Sequence, residues 1–237
     1  MAVCQTRPNA NGVPAFMKRL LSSLFLLLAA SQVLQAQKTW IDDGVTITKL
    51  DTLMEGYESL RGFFIIENTS IYEVMNRILD VDAYDWVEAE STSKMLLVDP
   101  ADSSFTFDFF VNIPILFIKK TGRVKVQVTY RDGVFYTRST QIKDYDRDED
   151  YDLVDYYSAQ WKLQPRGDDV QVTYLGVYQD QKMLININWI IINRIRKRLN
   201  GTFHNLRDLT SEKESPARVL YWPKTNQGQV MEAGKKE

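Results

Sequence analysis

The side chains that could carry out catalysis or bind a metal ion are few in this sequence. His204 is the only histidine and Cys4 the only cysteine among the 237 residues. A nucleophilic hydrolase needs a histidine beside an activated Ser or Cys, and no Gly-x-Ser-x-Gly motif is present. A zinc site draws on several His and Cys side chains. We therefore predict a protein that is not an enzyme and that has no metal site and no cofactor.

An acidic segment past the middle of the chain is the one candidate for a cation. Asp144, Asp146 and Asp148 have the one-three-five spacing of a calcium loop, in which several oxygen atoms hold a hard cation. The sixth position is Glu149 instead of the Gly that makes the sharp turn, and the twelfth is Asp155 where a bidentate Glu is usual. A solvated acidic loop is therefore the favoured interpretation.

Four positive charges are concentrated near the C-terminal end, at Arg194, Arg196, Lys197 and Arg198. At a membrane surface they would attract anionic lipid head groups, by about 1 kcal/mol for each well-placed charge. Such clusters are more often a solvated face that pairs with acidic residues. We favour the solvated face and keep transient contact with a membrane surface as a further expectation.

The first 36 residues have the pattern of a secretory signal. Lys18 and Arg19 form a basic start, and residues 20–30 are apolar except for two serines. Cleavage after Ala36 or after Ser31 fits the small residues that follow. The apolar run is shorter than the about 20 residues that a membrane span needs. We expect an exported protein, periplasmic or secreted, whose mature chain lacks cysteine and so has no disulfides.

The remaining sequence has the composition of a globular protein. Hydrophobic residues make up 44% and charged residues 25% of the chain, which excludes a collagen, a coiled-coil rod and a wholly disordered chain. The net charge is −2, and nothing indicates a nucleic-acid partner. We expect one domain over residues 37–210 and a polar, flexible tail over residues 211–237.

The elements that must position any site begin with two strands and a helix. Alternating or dense apolar residues predict strands over residues 44–50 and 61–67. Helix-capping residues follow at 68–70, and Ile71, Val74 and Ile78 then fall at helical spacing. A turn or short helix that carries Tyr84 and Trp86 is expected next.

The second part of the chain predicts a sheet and a final helix. Residues 90–179 show a pattern of period two, which is typical of antiparallel strands. Asp132-Gly133 is the sequence of a two-residue hairpin turn, and a second hairpin is expected over residues 156–178. An apolar stripe predicts a long helix over residues 186–209.

This order of elements predicts an α+β domain in which a strongly curved antiparallel sheet wraps around the long C-terminal helix. A single curved sheet cannot easily fill its own concave face. An internal apolar cavity is therefore expected between the sheet and the helix, where a hydrophobic ligand would fit.

Three segments resemble the START (StAR-related lipid transfer) domain family, which has the helix-grip fold. The opening segment GVTITKLDTLMEGYESLRGFFIIENTSIYEVMNRILDVDAYDWVEAES is similar to the strand, strand, helix and Trp with which the family begins. The segment SAQWKLQPRGDDVQVTYLGVYQDQ is similar to its penultimate hairpin, and INWIIINRIRKRLNGTFHNLRDL to its C-terminal helix. The family's usual Pro-x-Pro-x-x-x-Arg-Asp and Asp-Pro-Gly-Gly motifs are absent, so the ligand class does not follow from the resemblance.

The resemblance implies that a lipid or other hydrophobic small molecule is bound without being chemically changed, by the concave face of the sheet and the long helix. The residues that we expect to contact this ligand are Phe107, Phe109, Val126, Tyr130, Tyr136, Arg138, Trp161, Tyr174, Ile191 and Ile195. For each of them, packing in the core is the alternative. If Arg138 points inward, Asp108 or a ligand head group is its expected partner, because a buried Arg needs one. The favoured alternative is that the strand twists and Arg138 reaches solvent along its aliphatic stem.

Two other functions stay open. A cyclase or aromatase on the same fold would require polar groups that converge within the pocket, since a fold alone does not set a function. An envelope protein that binds another protein through Tyr221 and Trp222 of the tail, with a vestigial pocket, is the second alternative.

Overall fold

The structure is a computed structural model that describes residues 37–51, 56–88, 91–113, 118–146, 150–179 and 188–211. The predicted signal segment, and the predicted tail from residue 212 on, lie outside these residues, as do Tyr221 and Trp222. Within the described residues, no helix is both long enough and apolar enough to cross a membrane.

The described part of the chain forms ten strands, two α-helices and one 3₁₀ helix. The strands are β1 Thr39–Asp42, β2 Val45–Leu50, β3 Tyr57–Ile66, β4 Ser91–Asp99, β5 Ser104–Ile113, β6 Ile118–Arg131, β7 Val134–Ile142, β8 Asp152–Leu153, β9 Tyr157–Arg166 and β10 Asp169–Gln179. The helices are α1 Ile71–Leu79, the 3₁₀ helix Val81–Trp86 and α2 Asn188–Ser211. The predicted α+β class and the long C-terminal helix are confirmed, and β1 and the two-residue β8 are additional strands.

All ten strands of the described residues belong to one sheet. Its order is β1-β2-β3-β10-β9-β7-β6-β5-β4, with every pair antiparallel, and the short β8 pairs in parallel with β6. The predicted hairpin turn between β6 and β7 is present, and Asp132 and Gly133 have φ values of 52° and 76°. Positive φ at both central residues gives the turn a twist that matches the flanking strands, and it sets Tyr130 opposite Phe135.

Helix α1 begins at a capping box. The Ser70 hydroxyl accepts a hydrogen bond from the Glu73 backbone N–H at 3.2 Å, and the Glu73 carboxylate accepts one from the Ser70 N–H at 3.0 Å. Two of the N–H groups that a helix start leaves unpaired are thereby satisfied. The buried residues of α1 are Ile71, Val74, Met75, Ile78 and Leu79, at helical spacing, so one face of the helix joins the core.

Helix α2 packs against the sheet through Phe203. The Phe203 ring stacks on Phe64 at a centroid distance of 5.0 Å, and it fills the space above Gly62. A Cβ atom at Gly62 would lie 2.3 Å from the Phe203 ring, so only glycine permits this close approach of helix and strand. Leu206, one turn further along, is also fully buried.

The C-terminal part of α2 is also held by polar contacts to the turn between β1 and β2. Arg207 donates hydrogen bonds to the backbone carbonyl and the carboxylate of Asp43, each at 2.7 Å. The Asn200 amide donates to the Asp42 carboxylate at 2.6 Å, and His204 lies 3.5 Å from the same carboxylate. These contacts fix the position of the helix along the edge of the sheet.

Candidate functional site

The two faces of the sheet have opposite character because side chains alternate along each strand. In β10, Val170, Val172, Tyr174 and Gly176 are buried, while the residues between them are partly exposed. The buried set faces α1 and α2, as the contact of Tyr174 with Phe203 at a centroid distance of 5.6 Å shows. We call this side of the sheet the inner face and the opposite side the outer face.

One half of the inner face is completely closed. It consists of Ile66, Val128, Phe135, Leu163 and Val172, which are between 0% and 5% exposed, and we call it the sealed half. These side chains belong to the same core cluster as the buried face of α1. These five side chains leave almost no accessible surface, so a ligand would have to displace core side chains to enter between them.

The other half of the inner face remains partly accessible. Its sheet residues are Phe109, Tyr157, Trp161 and Tyr178, whose exposure is intermediate although they face inward, and we call it the open half. The partial exposure shows that the sheet and α2 do not close over these side chains. A surface of this kind, apolar and concave, is what a hydrophobic ligand needs.

The path of α2 places Ile195 and Leu199 opposite the open half. Near the end of the helix, the Thr210 carbonyl lies beside Thr69, just beyond β3 at the sealed end. Phe203 lies over Gly62 in the middle of β3. Continuing in the same direction, the preceding turns of the helix run toward the open half, and Ile195 and Leu199 are also partly exposed.

Aromatic rings line the open half in a continuous series of contacts. The Phe109 and Tyr157 rings are 5.3 Å apart, and Tyr157 is 5.9 Å from Tyr178. Trp161 lies 4.9 Å from Tyr174 and 6.4 Å from Trp86 of the 3₁₀ helix, both at angles close to perpendicular. Edge-to-face contacts of this kind hold the rings in fixed orientations.

Three tyrosine hydroxyls meet within this aromatic lining. The hydroxyls of Tyr174 and Tyr178 are 3.0 Å apart, and the Tyr157 hydroxyl is close enough to both to affect their pKa values. Burial raises the pKa of all three hydroxyls well above the usual value for tyrosine. All three are therefore protonated and uncharged at neutral pH, and we call them the tyrosine trio.

Seven of the ten predicted contact residues lie on the inner face. Phe109, Trp161 and Ile195 are partly exposed in the open half, whereas Phe107, Val126 and Tyr174 are buried. Tyr130 lies toward α1, with its hydroxyl 3.4 Å from that of Tyr72, and burial raises its pKa to about 12. The side chain of Ile191 is outside the described part. The role of all these residues in binding stays a prediction.

Tyr136 and Arg138 are corrections, because both lie on the outer face. The hairpin turn pairs Tyr130 with Phe135, so Phe135 takes the inward position and Tyr136 the outward one. Tyr136 is 40% exposed, and the Lys162 ammonium lies 5.9 Å from its ring. Arg138 is exposed and pairs in the sheet with the exposed Gln160. Neither side chain can reach a ligand on the inner face.

Asp108, which would have been a partner for an inward-pointing Arg138, pairs instead with Arg123. The exposure of Arg138 agrees with the favoured expectation that it reaches solvent. Asp108 accepts two hydrogen bonds from Arg123, one from Nε at 2.7 Å and one from a terminal nitrogen at 2.9 Å. This bidentate pair lies on the outer face of β5 and β6, and it raises the pKa of the Arg123 guanidinium. The two charged groups that a catalytic pocket would have used are thus outside it.

The basic stretch of α2 does not present four equivalent charges. The Arg196 guanidinium lies over the Trp40 ring at 5.0 Å, and Arg194 and Arg198 have partners of their own. Lys197 is exposed.

In the acidic segment, Asp148 lies outside the described residues, and within them no three His, Cys, Asp or Glu side chains form a group that could hold a metal ion.

Tyr157, Tyr178 and Trp86 are the site residues that the sequence analysis missed. Tyr157 has the same strand parity as Trp161, and Tyr178 the same parity as Tyr174. The alternation rule that selected Trp161 and Tyr174 therefore also selects these two tyrosines. No periodic pattern in the sequence selects Trp86, because the short 3₁₀ helix that carries it is not long enough to show one.

Comparison with solved structures identifies the fold. The chain is similar to a STAR-related lipid transfer protein from Xanthomonas axonopodis, with a TM-score of 0.64, 18% identity, and coverage of 75% of this chain and 99% of that chain. It is also similar to human StAR-related lipid transfer protein 5, with a TM-score of 0.59, 13% identity, and coverage of 82% and 99%. The lipid transfer and protein localization domain of human StarD13 matches with a TM-score of 0.58 and 12% identity.

No family model and no curated protein matches the sequence. The structural matches nevertheless extend over nearly the whole of each compared START structure. The chain therefore has the START-like helix-grip fold, as the resemblance implied.

Proposed function

We propose that this protein binds a lipid or similar hydrophobic small molecule between the open half of the inner face and helix α2. The observation that carries the proposal is the partial exposure of inward-facing Phe109, Tyr157, Trp161 and Tyr178 on a START-like fold. Apolar surface removed from water contributes about 25 cal/mol per Å², so covering these rings with a ligand would stabilise the complex.

Binding without chemical change is part of the proposal. Arg138 and Asp108, the charged groups that the sequence analysis considered for the pocket, lie on the outer face. The tyrosine trio is protonated at neutral pH, because burial raises the pKa of each hydroxyl, and a neutral phenol is a poor general base. These features favour a carrier over a cyclase.

Entry of the ligand would involve the part of α2 before Phe203. The later turns are held by Arg207 to Asp43 and by the buried Leu206, whereas Ile195 and Leu199 are only partly buried. A small displacement of the earlier turns would admit a ligand, and the ligand's preference for the open state would supply the free energy.

The direct test is native mass spectrometry of the protein purified without detergent from the compartment in which it accumulates. A stoichiometric apolar adduct, identified in an organic extract and absent from a matched soluble control protein, is the expected result. A protein that is empty and takes up no lipid from vesicles would overturn the proposal and favour the envelope interaction protein.

Export is a separate proposal that rests on the sequence of residues 1–36. Fractionation of the host cell, with N-terminal sequencing of the accumulated protein, tests it. A mature N-terminus at Gln37 or Gln32 in the periplasm or the medium is expected. An intact N-terminus in the cytoplasm would contradict export but would leave the ligand proposal standing.

A further inference from the structure

The tyrosine trio is a polar feature in an otherwise aromatic and aliphatic surface. The hydroxyls of Tyr174 and Tyr178 converge above Gly176, where a Cβ atom would lie 2.7 and 2.4 Å from them. Gly176 pairs with Ala159, so two small residues lie side by side on neighbouring strands. The glycine leaves the space that allows two hydroxyl groups from the same strand to meet.

The three hydroxyls of the trio cannot provide hydrogen-bond acceptors for all of their own donor hydrogens. Three hydroxyls carry three donor hydrogens, and hydroxyls in the order Tyr157, Tyr174, Tyr178 can use at most two of them among themselves. One hydrogen is left without an acceptor inside the trio. Because Tyr157 and Tyr178 are partly exposed, water can accept this hydrogen, and a ligand that displaces the water has to supply an acceptor in its place.

A second donor without a partner lies in the same aromatic lining. Trp86 is 3% exposed, and among the described residues its indole N–H has no hydrogen-bond partner. Its ring contacts Trp161, which contacts Tyr174. Indole nitrogen is a donor only, so this group also calls for an acceptor.

The charge of the surroundings defines the ligand further. Burial keeps the trio neutral, and the charged residues beside it on this face, Glu58 opposite Tyr178 and Lys49 opposite Leu60, form a salt bridge at 2.6 Å. An ionised carboxylate or phosphate placed there would lose its hydration next to the Glu58 carboxylate and beside an ammonium that is already paired, which is strongly unfavourable. An uncharged oxygen acceptor carries no such cost.

We propose that the tyrosine trio is a recognition site for an uncharged oxygen acceptor, such as a ketone or ester carbonyl, on an otherwise apolar ligand. This inference rests on the proposed function and names the chemical class of its ligand. The apolar part of the molecule lies against Phe109, Trp161 and α2, and its carbonyl oxygen accepts the hydrogen that the trio cannot use internally.

Probes with matched chain length test this inference on the protein purified with its natural N-terminal processing. Hexadecane, 2-hexadecanone and palmitate are compared as displacers of a fluorescent apolar dye at pH 7. Binding of 2-hexadecanone about tenfold tighter than hexadecane is expected, which corresponds to about one hydrogen bond. Palmitate is expected to bind more weakly than the ketone.

The triple variant Tyr157→Phe, Tyr174→Phe, Tyr178→Phe keeps all three rings and removes all three hydroxyls. It should bind hexadecane as the wild type does, which also shows that it is folded, but should lose the preference for 2-hexadecanone. Tyr136→Phe, on the outer face, is the matched control and should keep the preference.

The remaining outcomes separate this inference from the proposed function. Equal binding of hexadecane and 2-hexadecanone by the wild type, or a preference that survives in the triple variant, would overturn the inference and leave an apolar binding site. Tighter binding of palmitate would overturn it in favour of a cationic contact, for which Arg196 is the candidate. Failure of the wild type to bind any probe would contradict both proposals.

Discussion

The sealed and open halves of the inner face are built from the same strands but have different contents. The sealed half is filled by Ile66, Val128, Phe135, Leu163 and Val172, and it joins the core that includes α1. The open half has large rings that contact one another and remain partly accessible. In the sealed half, burial contributes to stability, whereas in the open half some of that stabilisation is left for a ligand to supply.

Helix α2 shows the same division along its length. Its last turns bury Phe203 and Leu206 and are held by Arg207 to the β1–β2 turn. Its earlier turns carry the partly exposed Ile195 and Leu199. The last turns are therefore packed more closely than the earlier ones, which are held by the buried Ile192, by Arg196 over Trp40 and by Asn200 to Asp42. The following predictions test this division, in order of decreasing effect.

The largest effect is expected from Phe135→Ala in the sealed half. Phe135 is 0% exposed, so the truncation removes a fully buried ring and leaves a cavity. The free energy of unfolding should fall by about 3–5 kcal/mol, measured by urea denaturation. Tyr136→Ala, the neighbouring residue on the outer face, is the control and should change it by less than about 1 kcal/mol. A similar loss in both variants would contradict the assignment of the two faces.

A smaller loss of stability is expected from Phe109→Ala in the open half, because the ring is already partly exposed. Truncation should lower the free energy of unfolding by about 1–2 kcal/mol, less than for Phe135. Displacement of the apolar dye by hexadecane should become several-fold weaker. Equal losses of stability in the Phe109 and Phe135 variants, with unchanged hexadecane binding, would mean that the two halves do not differ.

The Ser70→Ala variant weakens helix α1, which packs on the sealed half, and tests whether this helix affects stability without affecting binding. Removing the hydroxyl that caps the Glu73 N–H should cost about 1 kcal/mol of unfolding free energy, and Ser70→Asp should restore most of it. Hexadecane binding should be unchanged in both variants. Weaker binding by the alanine variant would show that α1 also shapes the open half.

Much of this architecture could be predicted from the sequence, because alternation and capping are local signals. The Asp132-Gly133 turn, the Ser70 cap and the stripe of α2 each follow from a few neighbouring residues. The order of strands across the sheet was not predicted, because it depends on contacts between residues that are far apart in the chain. Local patterns alone do not contain that order.

The site was harder to predict because it depends on which face each strand turns inward. Tyr136 and Arg138 were assigned to the pocket by the type of their side chains. The two-residue turn sets Tyr130 opposite Phe135, so the odd-numbered residues of β7 face inward and Tyr136 and Arg138 face outward. Asp108 was considered as a partner only for an inward-pointing Arg138, and its cross-strand neighbour is Arg123. The tyrosine trio also needs the space above Gly176, which no sequence pattern shows.

The smallest effect is expected at the anchored end of α2, from Asp43→Asn. The Arg207 guanidinium holds the pKa of the Asp43 carboxyl below its usual range, chiefly through the hydrogen bond between them. A lowered folded-state pKa means that the carboxylate stabilises the fold above its unfolded pKa and that this contribution is lost as the pH falls through the folded pKa. Because Asp43 is exposed, solvent screens the interaction and the effect is small.

Melting temperatures of the wild type and Asp43→Asn should therefore differ at pH 7, with the wild type higher, and converge below about pH 4, near and below the usual pKa of Asp. Asp85→Asn, also at an exposed position, is the control and should follow the wild type at both pH values. Hexadecane binding by Asp43→Asn is the decisive comparison. Unchanged binding at pH 7 would show that the anchored turns of α2 act on stability alone, whereas tighter binding would show that loosening them also opens the site.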